Sequence, residues 1–308
     1  VPELVVCDTG SRDGTVEVAR TAGARVVHHA WHDDFAAARA RAESHATHEW
    51  IVRFDADERF TSTAPPGLSF REWLVPYLVR AHEAGAGQVF VRRRYAPGNE
   101  HWFPRIYRRG WYRWRHPVHE LLWPVRSAWP PSIAATGAVI LHERTPRPRP
   151  YRRLLESAVA AEPVDPYLLF HLGHACFEER DFPAAESWLR RYLERPLGYR
   201  FHRSEAWMVL GQCRAAMGDA GGAFSAYEES SRQELRAEPL WHATRLALEL
   251  GELTRARALV ERGRVLSPPR ERQPFGQDDH PYLLDMRLYQ AEAWTALSEE
   301  IVSRGGCE

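Results

Sequence analysis

A short run of strand formers that stops on three carboxylates constrains this chain more than any other stretch. In Trp50 to Phe60, WIVRFDADERF, the residues Ile51, Val52 and Phe54 make a buried-strand pattern interrupted by Arg53. Asp55, Asp57 and Glu58 follow where that strand should end. Ligands of open α/β sheets bind at the carboxyl ends of strands, so a site is expected here. Strand alternation points Asp55 and Asp57 the same way, and two hard oxygen donors suit one Mg²⁺ or Mn²⁺ that completes its shell with water and substrate phosphate. A plain polar turn after a strand is the competing reading.

Upstream, Glu3 to Cys7 reads as a buried strand followed by the turn Asp8-Thr9-Gly10-Ser11-Arg12-Asp13-Gly14. A helix then begins near Thr15 and stops at Gly23, and Ala24 to His28 makes the next strand. This is a β-α-β unit whose crossover exposes the Asp8–Asp13 turn at the sheet's carboxyl edge. Backbone N–H groups, hydroxyls and carboxylates in such a turn suit the ribose and base of a nucleotide, while a plain capped connection fits equally well. Asp33 or Asp34 is placed as N-cap of a helix from about Phe35 to Ala46. Beyond Phe60, a helix near 70–83 and strands over 89–93, 102–108 and 138–142 are expected. Trp111, Tyr112, Trp114, Trp123 and Trp129 either floor a sugar pocket or pack beneath an irregular sheet.

Across Arg144 to Arg153 the pattern changes to helix only, and a boundary is expected there, giving domains 1–145 and 150–308. Leu172-Gly173 with Ala185, Leu210-Gly211 with Ala223, and Ala256 with Pro268 fall at the marker positions of a tetratricopeptide repeat. The three alanines are spaced 38 and then 33 residues apart, either side of the expected ~34. A last helix over about 282–300 would cap the stack.

The remaining constraints are exclusions. With 41 basic and 41 acidic residues interspersed, nothing in the charge favours nucleic acid or an anionic membrane surface. Every basic residue is arginine, a good bidentate donor for phosphate. Cys7, Cys176, Cys213 and Cys307 form no C-x-x-C pair, which argues against a zinc or disulfide framework and for a reducing cytoplasm. No apolar run approaches the ~20 residues that cross a bilayer. The chain opens on a strand without Met, so a preceding segment is expected.

In order, VVCDTGSRDGT, HDDFAAARARA, WIVRFDADERF, FPRIYRR and HPVHE resemble the motifs of family 2 glycosyltransferases of the GT-A fold, in bacterial members with a C-terminal repeat domain. The usual first strand and helix of that family are absent, and Ala40 replaces its common Asn. The resemblance implies an α/β GT-A (Rossmann-like) nucleotide-sugar domain followed by an all-α tetratricopeptide-like domain. It implies inverting, metal-dependent transfer from a nucleotide-diphosphate donor, expected to be a UDP-sugar. Asp8, Thr9, Gly10, Ser11, Asp13, Asp34, Arg39, Asp55 and Arg105 are the expected donor-binding residues. Asp55, Asp57 and His119 are the expected ligands of Mn²⁺ or Mg²⁺, with Asp57 also counted as catalytic. Glu120 is the candidate general base, although His116 and His119 beside it also read as structural histidines. The helical half is expected to hold an acceptor peptide, protein or glycan precursor. Two other readings stand beside this: a repeat scaffold carrying an inactive remnant, and a nucleotidyltransferase.

Overall fold

Two packing rules operate in the two halves of the chain. The computed structural model describes residues 3–63, 67–96, 99–143, 151–196, 200–266 and 291–305. The chain resolves into two compact units that meet between Ala158 and Val159. The α/β and then all-α order expected from sequence is the order that folds.

In the first unit, β1 (Val5–Asp8) and β2 (Arg25–His28) pair in parallel around α1 (Thr15–Thr21), with Asp8 opposite His28. Then come α2 (Phe35–Glu43), β3 (Trp50–Val52), β4 (Glu58–Ser62) and α3 (Phe70–Glu83). The strands β5 (Gln88–Ala96), β6 (Asn99–Arg108), β7 (Tyr112–Arg115), β8 (Leu121–Pro124) and β9 (Ser132–His142) follow. Five of these strands form a mixed sheet in the order β3-β6-β5-β9-β4, in which only β5 and β9 run parallel. A hairpin of β7 and β8 stands apart, as does the β1–β2 pair. Ser69 and Glu72 close a capping box at the start of α3, whose Trp73 and Ala81 bury against Val89, Val91, Ile106 and Ile140. The crowded tryptophans pack: Trp111, Trp114 and Trp129 lie against Tyr107, Tyr112 and Leu122.

Two features depart from the sequence expectation. The carboxylate strand ends at Val52, and Ala56 and Asp57 form a tight turn closed by a hydrogen bond from Glu58 N to Asp55 O at 3.0 Å. Glu58 then starts β4, which pairs with β9. Strand alternation therefore does not set the directions of Asp55 and Asp57; the turn does.

The second unit is built from helices. The helix α4 (Tyr151–Ala161) begins in the first unit and ends in the second. Three helix pairs follow: α5 (Pro166–Glu178) with α6 (Phe182–Leu193), α7 (Arg200–Ala216) with α8 (Ala220–Gln233), and α9 (Ala237–Glu249) with α10 (Leu253–Arg264). Asp165, Asp181 and Asp219 each cap a helix by accepting from backbone N–H groups. The marker residues do what close packing needs. A Cβ on Gly173 would sit 2.7 Å from Leu189, one on Gly211 would sit 2.6 Å from the Tyr227 ring, and Ala185, Ala223 and Ala256 are fully buried. The described part of the last helix, α11 (Ala291–Gly305), buries Trp294, Leu297 and Ile301 against this core. Pro150, Pro268, Cys307 and the start of the expected last helix lie outside the described residues.

Candidate active site

Asp8 ends β1 and is buried, where it accepts from Gly10 N at 3.3 Å and Ser11 N at 3.1 Å and meets His28 Nδ1 at 3.2 Å. Hydrogen bonds from the Ser11 side chain and backbone hold its carboxyl below the usual range. Gly10 takes φ +113°, a conformation that suits glycine, while Thr9 is half-buried. Asp13 accepts from Thr15 N at 3.1 Å and from the Thr15 hydroxyl, holding the loop against α1. Asp34 caps α2 by accepting from Ala37 N at 2.8 Å.

A second group gathers around Asp55. Arg39 reaches from α2 to Asp55 Oδ1 at 2.8 Å and to Glu120 Oε1 at 2.5 Å. Arg105, fully buried on β6, reaches Asp55 Oδ2 at 3.3 Å and also meets Glu58. Arg93 on β5 binds Glu58 at 2.7 Å and lies 3.7 Å from Asp55. Arg53 stands 3.9 Å from Glu120. Three guanidiniums crowd the Phe103 ring, Arg105 at 4.8 Å and Arg53 and Arg93 at 5.3 Å each.

The electrostatics follow from this crowding. Burial pushes the Asp55 carboxyl up, but Arg39, Arg105 and Arg53 outweigh it and hold it well below the usual carboxylate range. Burial likewise opposes the charge on Arg39, and Glu120 and Asp55 overcome it and raise its pKa. Arg53 goes the other way: burial, then Arg105 and Arg39, push its pKa down. Its Nε has no hydrogen-bond partner, nor have Nε and Nη1 of Arg105. Four guanidiniums face the carboxylates of Asp55, Glu58 and Glu120, so this group carries one positive charge in excess. Strongly perturbed, buried charges of this kind cluster at functional sites.

Asp57 sits at the margin of this group. Its side chain is 31% exposed and lies 3.5 Å from His142 Nδ1, at the end of β9. Burial and then Arg93 lower the His142 pKa, against the pull of Asp57, Glu58 and Asp55. His119 lies elsewhere, its ring 5.4 Å from that of Tyr151. Among the described residues, no group of three or more His, Cys, Asp or Glu side chains is gathered as a ready-made metal cage.

The structure thus brings together Arg39, Asp55, Arg105 and Glu120 from the residues expected by sequence, and sets Asp8, Ser11 and Asp13 in a turn of their own. Sequence reasoning did not assign Arg53, Glu58, Arg93 or His142. The signal for Arg53 was present, because it is the one charged side chain inside the apolar run of Trp50 to Phe54. His142 carries none, since it ends an ordinary apolar strand, and Arg93 is one of three consecutive arginines in β5, which do not say which of them turns inward.

Residues 1–142 match the family described as glycosyl transferase family 2, which places a domain of that family in the first half of the chain. A TPR repeat-containing protein of Synechococcus elongatus is 32% identical over 257 residues, covering 77% of this chain. The chain covers 61% of that relative, and so spans about three fifths of the length of the curated protein it matches. Among solved structures, MamA aligns over 50% of this chain and 81% of its own, with 17% identity and a TM-score of 0.36. The Yersinia enterocolitica type III secretion chaperone SycD, solved with a peptide of the translocator YopD, aligns over 44% of this chain and 89% of its own, with 17% identity and a TM-score of 0.33. No helix among the described residues is long and apolar enough to cross a membrane.

Proposed function

We propose that the first unit transfers a sugar from a nucleotide-diphosphate donor, a UDP-sugar, to an acceptor hydroxyl with inversion at the anomeric carbon. The observation that carries this reading is the arginine group with one carboxylate at its margin. The excess charge of that group is cancelled by Asp57, so the whole is neutral. A divalent cation and a diphosphate diester also cancel each other, and the centre accepts the two together at less electrostatic cost than either alone.

The donor chemistry fits the cation. Asp57 is a partly exposed hard donor and His142 is its neighbour, whereas Asp55 has its oxygens turned to Arg39 and Arg105. We therefore assign Asp57 as the residue that holds Mn²⁺ or Mg²⁺, and Asp55 as the residue that positions guanidiniums toward the diphosphate. When bound, the cation would withdraw charge from the departing diphosphate. His119, beside Glu120 in the sequence, is a further candidate donor. The Asp8–Asp13 turn, with Thr9, Gly10 and Ser11, takes the base and ribose, and Asp34 holds α2 so that Arg39 stays in place.

In the transfer, the acceptor oxygen bonds to the anomeric carbon and gives its proton to Glu120. The bond from that carbon to the diphosphate breaks, and its electrons leave with the diphosphate. Arg39 fixes Glu120 at 2.5 Å and keeps its oxygen pointed. The helical unit docks the remainder of the acceptor, a peptide, protein or glycan precursor. A cavity of about 440 Å³ between α8, α9 and α10, floored by Leu240 and Ala243, offers room for it.

Calorimetry of UDP with and without Mn²⁺ tests the donor assignment. Asp57→Ala is expected to abolish the Mn²⁺-dependent gain in affinity, and an unchanged gain removes Asp57 from the metal site. Glu120→Gln is expected to cut turnover by ~10²–10⁴ while UDP binding persists, because a general base acts on the acceptor. Retained turnover moves that role to another carboxylate.

A further inference from the structure

Beside the charged centre lies an aromatic group that the transfer chemistry above does not use. Trp31 is 39% exposed and packs edge-on against Phe35 at 4.7 Å. Phe35 in turn meets Tyr151 at 6.5 Å, and Tyr151 meets His119 at 5.4 Å. The Trp31 indole N–H is already taken by Asp33 Oδ1 at 3.0 Å, and Arg153 holds the other Asp33 oxygen at 2.6 Å. Trp31 is thus fixed at its polar edge.

Position gives this group its meaning. Phe35 and Arg39 lie four residues apart on α2, so they share a face and sit about one helical turn apart, roughly 5–6 Å between Cβ atoms. Arg39 touches Asp55 and Glu120, while Phe35 touches Trp31 and Tyr151. The loop before α2 is tied to the loop before Glu120 by Phe35 N donating to Pro117 O at 2.8 Å. The aromatic platform therefore stands on the turn of α2 that precedes Arg39, the residue that holds the carboxylate proposed to take the acceptor's proton.

We infer that Trp31, backed by Phe35 and Tyr151, is the acceptor platform, and that the acceptor group placed there is a hexopyranose. A sugar ring offers an apolar C–H face to stack on an aromatic ring and hydroxyls around its rim. Asp33, held beside the indole N–H, lies at the edge of the platform as a partner for that rim. A peptide side chain would need no such rigid polar edge. This inference rests on the sugar-transfer reading and narrows it from any acceptor to one that ends in a sugar. A nucleobase could stack on the same ring, and the test separates the two.

Saturation-transfer NMR on the full chain with a panel of methyl α- and β-hexopyranosides reads the platform directly. At least one glycoside is expected to receive saturation on the C–H protons of one face, in the presence of saturating UDP and Mn²⁺ as well as in their absence. Trp31→Ala is expected to weaken this by about tenfold, and Trp31→Phe to retain most of it, each with an unchanged melting temperature. No saturation of any glycoside, equal saturation in Trp31→Ala, or displacement of the sugar by UDP overturns the inference, the last by giving Trp31 to the donor. UDP binding to the wild-type chain is measured alongside. If glycoside binds and UDP does not, the glycosyltransferase reading fails and the sugar platform stands; if UDP binds and no glycoside does, the reverse holds.

Discussion

The two units bury charge in different proportions. The helical unit packs small residues against large ones, Gly173 against Leu189 and Gly211 against Tyr227, and its buried arginine, Arg236, is matched by the two carboxylates of Glu205 and Glu238. The sheet unit instead buries Arg105, Arg93 and Glu58 at its centre and leaves N–H groups of Arg53 and Arg105 without partners. Burying charge costs several kcal/mol per ion unless geometry repays it, so a fold that needed only stability would fill such space with hydrocarbon. The larger of the two charged groups, with four guanidiniums against three carboxylates, is therefore the candidate site, since a protein departs from good packing mainly where chemistry requires it.

The largest test of this contrast is Glu58→Ala. Removing a fully buried carboxylate strands Arg93 and Arg105 without it, and the sheet unit should lose about 3–5 kcal/mol in denaturant unfolding. A loss below about 1 kcal/mol would mean that the arginines relax to water and that the centre is not strained by charge.

Gly211→Ala makes the matching change in the helical unit. The new methyl would meet the Tyr227 ring, at a cost of about 1–3 kcal/mol that helix propensity offsets only in part. Hydrogen exchange should show the loss confined to α7 and α8, and a loss shared with β5 and β6 breaks the separation of the two units.

The smallest expected effect is of pH. Burial pushes the pKa of His174 on α5 and His242 on α9 down. A histidine with a depressed folded pKa binds fewer protons folded than unfolded, so its stabilising share is present above about pH 6.5 and is lost as pH falls toward the folded value. Asp8 and Asp55 are also depressed, but from the carboxylate range, so their share is lost only below about pH 4. Between about pH 6.5 and 4.5 the helical unit should therefore weaken first, although His142 contributes in the same direction within the sheet unit. His174→Gln should reduce the acid loss in α5, measured as exchange corrected for intrinsic rates. An unaltered loss would put its origin outside His174.

Much of the fold is legible in the sequence. Local signals placed α1, α2 and α3 within a few residues, because Asp34 and the Ser69–Glu72 box are contiguous in sequence with the helices they start. Two helix pairs are legible from Leu-Gly and Ala spacing for the same reason, and the third only from Ala256, its other marker, Pro268, lying outside the described residues. The pairing of β4 with β9 was not, since Glu58–Ser62 meets residues about eighty positions away and nothing in ERFTS announces a partner. The site divided along the same line. Asp55, Arg39, Arg105 and Glu120 lie in motifs that single them out as candidates, whereas Arg93 and His142 reach the centre only because β5 and β9 lie side by side. The expected common direction of Asp55 and Asp57 was lost to a tight turn that strand periodicity does not foresee.

The Phe103 ring, with three guanidiniums gathered at it, also has a thermal consequence. Hydration of charged groups becomes less favourable as temperature rises, so the desolvation of Arg53, Arg93 and Arg105 costs least when the protein is hot. Unfolding this centre exposes polar surface, which lowers the heat-capacity change, while unfolding the helical core exposes apolar surface, which raises it. The sheet unit is accordingly expected to have the flatter stability curve of the two, keeping its charged centre in shape across a wider span of temperature than the helical core keeps its own packing.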